Sequence, residues 1–415
     1  MRLADGLVDL RPLRAEPVWR RLFVGTSLSM LGGQVTLVAV LFQVWELSHS
    51  TIWVGAVGLA QAVPRVVAGL VGGGLADTLD RRRLVLLTTV GQIAAGALLA
   101  AQALAGVGSL GLVLLLVLAQ STFASLGAPA RRSFTARVLP RELVGAGIAL
   151  DHIAFQASML AGPALAGVVL GALGVGACYL IDLATFVGAL YGVSGLPALP
   201  PAEDAVRRPG LLREGLRYVV RRPLLRDALL TDLVATVPAM PISLFPAVAA
   251  ERFGGDPRTL GLFFSALAVG GIVAGAGSGL VTRAARPGLV MLGAVGAWGI
   301  GLAGFGLAGS LVATLACLAV AGVADTVSVI ARASVVQLAT DDAYRGRVSS
   351  VELVVGAAGP DVGNLRGGLV AGLTSPTFAL VSGALVCLGG VAAIAATNPR
   401  LRSFRPVEEP APVLR

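Results

Sequence analysis

Arg65, Asp325 and Asp361 are charged side chains set deep inside runs of apolar residues. Arg65 lies about twelve residues into one run, Asp361 about twelve into another and Asp325 about fifteen into a third. If these runs cross a bilayer, each charge costs about 2.5–3.5 kcal/mol on insertion scales, so each needs a partner or a task. An arginine and a carboxylate at matching depth can form an ion pair, either static or broken and remade as two parts of the molecule move. A carboxyl in a low-dielectric cavity can carry a proton, and Asp325 is the leading candidate for that chemistry. Asp182 and Asp232 sit in two further runs.

Asp151 and Glu352 form a second set. Each stands near the start of an apolar run, and Arg131 and Arg332 close the runs before them. These four residues either brace helix ends or take part in proton transfer. His152 adjoins Asp151 but points about 100° away on a helix, so it need not share that face; it reads as a packed residue, with titration in the cycle as the alternative. Gln34 and Gln120 are amides that offer hydrogen bonds to a bound solute or to a neighbouring helix.

Enzyme chemistry finds no footing. All 32 basic residues are arginine, so a phosphate-binding loop with its lysine is ruled out, and ATP hydrolysis with it. There is no metalloprotease helix motif and no Ser-His-Asp set placed to work. Cys178, Cys317 and Cys387 lie in separate apolar runs, without metal-ligand spacing. The sequence predicts no catalysis, no metal and no cofactor.

The elements that hold these residues follow from composition. Hydrophobic residues make up 56% of the 415, charged residues 13%, and the mean hydropathy is +0.84. A soluble domain carries about 25% charge. Crossing a bilayer takes about 20 apolar residues in a helix. Such windows occur at 22–44, 53–75, 84–106, 108–130, 144–171, 174–196, 227–249, 259–282, 287–308, 310–332, 349–373 and 376–397. The expected fold is an all-α membrane protein of twelve transmembrane helices, with 55 glycines suited to close helix packing in lipid.

Charge gives orientation. If residues 1–21 are cytoplasmic, 28 of the 32 arginines fall in segments on that same face. Only Arg252 and Arg258 lie opposite, while Arg65 and Arg366 are within spans. Basic residues stay inside, so both termini are expected in the cytoplasm. The pI of 10.7 then reflects arginines facing anionic headgroups rather than nucleic acid. The apolar run after residue 21 is too long for a cleavable signal.

The expected organisation is an N-terminal segment 1–21, a six-helix half 22–196, a linker 197–226, a second six-helix half 227–397 and a tail 398–415. The linker holds Pro197, Pro200, Pro201, Pro209 and Pro223 and seven arginines. Within it, Leu211 to Val220 can form an amphipathic helix on the membrane surface. The tail carries Pro406, Pro410 and Pro412 and reads as disordered. The halves match at an offset of 201: Arg131 with Arg332, Gly145 with Gly346, Asp151 with Glu352, and Gly162, Gly167 and Gly171 with Gly363, Gly368 and Gly372. Fixed-offset matches of this kind point to a duplication.

Between the second and third runs the chain reads Gly72-Gly73-Gly74-Leu75-Ala76-Asp77-Thr78-Leu79-Asp80-Arg81-Arg82-Arg83. A degenerate copy, Gly279 to Arg286, has Thr282 where the first has Asp77. With the two halves and the linker, this loop resembles the major facilitator superfamily, whose signature is roughly G-x-x-x-D-R-x-G-R-[RK]. Gly73, Asp77, Arg81 and Arg82 match it, whereas Thr78 and Asp80 depart from it. Phe123-Ala124-Ser125-Leu126-Gly127, Ala285-Arg286-Pro287-Gly288-Leu289 and Gly346-Arg347-Val348 are similar to the enterobactin (siderophore) exporter group of the drug–proton antiporter branch. The resemblance covers about residues 15–400.

The resemblance implies that spans 1, 4, 7 and 10 line a cavity around a midplane site, that 2, 5, 8 and 11 form gates, and that 3, 6, 9 and 12 form the rim, with Asp182 on span 6. It sets spans 2 and 11 side by side, so that Arg65 and Asp361 can pair. It implies a proton-coupled exporter of a small amphipathic molecule, siderophore or drug, in the inner membrane, monomeric and without ATP. An uptake symporter and a non-transporting sensor or scaffold are the alternatives. A scaffold would fill the four cavity spans with bulky apolar residues. Asp77 and Arg81 are expected to brace the cytoplasmic side through Arg131 and the start of span 11.

Overall fold

A computed structural model describes residues 9–198 and 211–405, without the side chains of 68–78 and 211–212. Among the described residues it is helical with no strands. The spans, labelled here in chain order, are α1 (Pro17–Ser48), α2 (Thr51–Thr78), α3 (Arg81–Leu104), α4 (Leu110–Arg132), α5 and α6 (the two parts of Arg141–Ser194), α7 (Pro223–Ala239, continued by Phe245–Phe253), α8 (Pro257–Ala276), α9 (Pro287–Leu307), α10 (Leu311–Ala339), α11 (Arg345–Leu373) and α12 (Pro376–Thr397). Among the described residues, nine helical stretches are long and apolar enough to cross a bilayer. Counting Arg141–Ser194 as two, and adding Arg345–Leu373 and Thr51–Thr78, which is apolar over Thr51–Val67, gives twelve.

Local chemistry fixes the ends. Asp80 accepts from the Arg83 amide at 2.9 Å and starts α3; Ser109, Ser310 and Ser375 cap α4, α10 and α12 in the same way. The turn between α3 and α4 has Gly106 and Gly108 at φ of 64° and 61°. No loop separates α5 from α6: the helix folds at Gly174 alone, at φ 78° and ψ −178°, a conformation that glycine reaches without a Cβ clash.

The structure departs from the sequence windows at α7 and α8. The run 227–249 is not one straight helix. Met240 is extended, because Pro241 disfavours helical backbone in the residue before it. α11 satisfies the groups freed by the break. The Ser243 amide donates to Asn364 Oδ1 at 3.0 Å, and Arg366 donates to the Pro238 carbonyl at 2.7 Å. The run 259–282 is cut at Gly277, which leaves Ser278–Thr282 as a short separate helix.

Three apolar cores organise the packing. One joins both halves: Val35, Val38, Val44 and Val54 pack in the same cluster as Phe245, Phe263, Phe305 and Leu380. It lies toward the arginine-poor end. At the arginine-rich end each half has a core of its own, around Trp19, Leu84 and Phe134 in the first and around Leu225, Val336 and Leu401 in the second. Phe245 stacks edge-on to Phe264 and Phe305 in the shared core, so these rings pack rather than line a cavity.

Two glycine seams hold the shared end together. A Cβ on Gly368 of α11 would lie 2.9 Å from the Gly55 Cα of α2, and a Cβ on Gly167 of α5 would lie 3.3 Å from the Gly261 Cα of α8. Gly167 and Gly368 are repeat-related, so the glycine ladder of the sequence marks the helix faces where the halves touch. On the surface, the helix Leu211–Arg221 docks on α11. Tyr218 stacks on Tyr344 at 4.1 Å, and Arg222 donates to Asp341 at 2.7 Å. The Arg222 guanidinium holds the Asp341 carboxyl below the usual carboxylate range.

Candidate functional site

A cavity of about 790 Å³ opens inside the first half, walled by α1, α2, α3, α4 and α6, with Leu353 and Ala357 of α11 across from them. Its wall is mostly apolar but carries a set of polar side chains at membrane depth. Gln34, Gln61, Gln92 and Gln120 line it, with Arg65 and Asp182, and Arg131 and Arg132 stand at its arginine-rich end.

Arg65 reaches this wall because α2 lies close against α11. A Cβ on Gly58 would sit 2.7 Å from the Asp361 carbonyl, so only glycine permits the approach. Arg65 is two turns further along the same face. Its guanidinium donates to Asp361 Oδ2 and, at 2.8 Å, to Gln61 Oε1. Asp361 is buried and Arg65 is partly exposed to the cavity.

The second half gathers another charged cluster. Arg332 of α10 and Asp232 of α7 form an ion pair in which both side chains are buried, and Glu352 Oε1 lies 3.9 Å from Arg332 Nε. Asp325 stands two turns before Arg332 on the same face of α10 and is exposed. It is not part of the first-half cavity wall.

The repeat-related residues of the first half are arranged differently. Asp151 accepts from Thr135 Oγ1 at 2.8 Å, not from Arg131. Arg131 has no carboxylate partner among the described residues, and its Nε is buried without a hydrogen bond. Arg82 donates to the Ser194 carbonyl at 2.8 Å, at the end of α6. Arg81 opens α3. The side chains of Gly73 and Asp77 lie outside the described residues, and so does the bracing expected of Asp77.

Sequence reasoning underrated two acids. Asp182, set on a rim helix, is in the cavity wall, where it accepts from Thr36 Oγ1 at 2.7 Å and Gln120 Nε2 at 3.3 Å. Asp232 is the buried partner of Arg332. For Asp182 the available signal was its depth in the run 174–196, the signal that singled out Asp361; Asp232 stands only five residues into 227–249.

The family profile described as transmembrane secretion effector matches residues 8–411. This chain belongs to the transmembrane secretion effector family of the major facilitator superfamily. The enterobactin exporter EntS of Citrobacter koseri is 30% identical over 422 residues, covering 100% of both chains. Among solved structures, the nucleoside transporter NupG superposes with a TM-score of 0.72 at 13% identity, over 94% of this chain and 100% of that one. A bacterial homologue of the iron transporter ferroportin gives 0.68 at 17% identity in its inward-facing state, over 94% of this chain and 99% of that one. In the outward-facing state the TM-score is 0.61 at 18% identity, over 93% and 100%. Like the rest of its family, the protein is a multi-pass membrane transporter of a small molecule, not an enzyme.

Proposed function

We propose that this family member is a proton-coupled exporter of a small amphipathic solute of the siderophore class, working by alternating access. The observation that carries the reading is a mostly apolar cavity, studded with amides, beneath a joined core. The halves share one core and two glycine seams at the arginine-poor end, and have separate cores at the other. That is the shape of a transporter open on its arginine-rich side. The higher TM-score with the inward-facing ferroportin homologue supports it. An arginine-rich side facing the cytoplasm puts both termini inside. The halves 22–196 and 227–397 are then the rocking units, joined by 197–226.

Export of a siderophore is favoured by the full-length relatives named as enterobactin exporters. A scaffold would have filled its cavity with bulky apolar side chains, and the wall here carries four amides instead. In this reading Gln34 and Gln120 hydrogen-bond the solute, and the Arg65–Asp361 pair breaks and remakes as α2 moves against α11. Asp325, Glu352 and Asp151 are candidate proton carriers, and the first two stand around the Arg332–Asp232 pair. Asp77 and Arg81 brace the cytoplasmic side.

Deleting the gene and measuring secreted catecholate siderophore under iron limitation, beside antibiotic susceptibility, tests the substrate. Reduced secretion is expected. Altered susceptibility with normal secretion would move the substrate to drugs, and no change in either would sink both. Proton flux driven by the probe solute enterobactin in proteoliposomes tests coupling; normal flux in Asp325→Asn removes that carrier.

A further inference from the structure

Among the described residues four acids of the spans are buried: Asp182, Asp227, Asp232 and Asp361. Three have an arginine, Asp227 with Arg226, Asp232 with Arg332 and Asp361 with Arg65. Asp182 is 1% exposed and has none among the described residues. Its Oδ2 accepts from Thr36 and Gln120, and its Oδ1 has no hydrogen-bond partner. A buried charge with no opposite charge is costly, so this carboxyl needs a positive counterpart. Asp182 borders the cavity, and at 1% exposure it leaves room for a proton rather than a solute.

We propose that Asp182 binds a proton during the transport cycle and reports its protonation state to the solute through the amide of Gln120. This rests on the proton-coupled reading above and assigns it a residue. The surroundings are built for the task. From α1 come Gly32 and Thr36, from α4 Gln120, and on α6 itself Tyr179 and Thr185. α3 brings the uncharged Gln92 to the cavity wall. The charged groups of that wall are engaged or distant: Arg65 holds Asp361 and Gln61, and Arg131 and Arg132 stand at the mouth. A Cβ on Gly32 would lie 2.7 Å from Asp182 Oδ1, so glycine leaves space for the carboxylate.

The switch follows from donor and acceptor bookkeeping. Gln120 now donates Nε2–H to Oδ2, the orientation that suits an ionised carboxylate. A proton taken from cavity water onto Oδ2 turns that oxygen into a donor. The Gln120 amide then rotates, so that Oε1 accepts from the acid and the NH₂ turns toward the cavity. The solute meets two donors where it had met a carbonyl oxygen. No covalent bond other than the O–H forms or breaks.

Infrared difference spectra of solute-free protein in lipid nanodiscs, between acidic and alkaline pH, read the protonated carboxyl directly. A pH-dependent carboxyl band is expected, lost in Asp182→Asn and shifted in frequency in Gln120→Met. Survival of every such band in Asp182→Asn overturns the inference. Should that variant not fold, an unmoved band in both Gln120→Met and Thr36→Val overturns it equally. Enterobactin-driven proton flux separates this from the wider reading. No flux in the unmodified protein overturns proton coupling and the role of Asp182 together, whereas full flux in Asp182→Asn overturns Asp182 alone.

Discussion

Arg131 and Arg332 occupy equivalent places in the two halves and have opposite surroundings. Arg332 is buried against Asp232 with Glu352 beside it; Arg131 faces the cavity without a carboxylate among the described residues. The same asymmetry runs through the acids. The second half neutralises Asp232 within itself, while the first half leaves Asp182 without an arginine among the described residues and lends Arg65 to Asp361 of the other half. The two halves thus carry repeat-related charged frames in different settings. On the proposed reading, the second is a braced support, and the first keeps its polar groups for a solute and a proton.

Removing the arginines tests this contrast most severely. Arg332→Met strands Asp232 as a buried charge and should cost about 3–5 kcal/mol, whereas Arg131→Met should cost less than about 1 kcal/mol. Thermal unfolding of the purified protein measures both, and equal losses would break the comparison. The seams come next. Gly368→Ala drives a Cβ to 2.3 Å from the Thr51 carbonyl, while the equivalent Gly167→Ala meets nothing nearer than 3.1 Å. Overpacking of the first kind costs about 1–3 kcal/mol, and the milder contact should cost clearly less. A larger loss in Gly167→Ala would show that the α5–α8 seam is the tighter one.

The bridging pair sharpens the comparison through rate. Asp361→Asn should slow transport roughly tenfold, within the usual range of coupling energies, with membrane insertion intact. Arg65→Gln added to it should recover part of the loss, since neither charge is then stranded. No recovery would mean that the two residues act separately. The smallest effect is at the exposed Arg222–Asp341 pair. The folded carboxyl titrates below its unfolded value, so the pair stabilises the fold above the unfolded pKa and loses that contribution as pH falls through the folded one. Melting temperatures of Asp341→Asn across acidic pH should show a slightly flatter profile, and an unchanged profile would make the pair neutral.

Much of this was legible in the residues. Apolar runs, glycine turns and arginine positions gave the helices, since a bilayer demands long apolar windows and the superfamily loop supplied their arrangement. Arg65 and Asp361 could be matched by depth once spans 2 and 11 were taken as neighbours. The break in α7 was missed because its apolar run continues through it; Pro238 and Pro241 were its only signs. Asp182 was misjudged because a rim helix can still turn one face inward, and only the packing of α1 and α4 around α6 reveals which face. Why Arg332 gained a partner and Arg131 did not depends on α7, which no repeat offset in the sequence connects to the first half.

One consequence concerns the end of the molecule where the halves join. Its connections are residues 49–50, 105–109, the single Gly174, 254–256, 308–310 and 374–375, none longer than five residues. To anything approaching from that side, whether protease, antibody or phage, the transporter presents almost no handle. Reporter tags inserted there should be poorly tolerated, most of all at Gly174, where an added residue would have to share a corner that one glycine now turns.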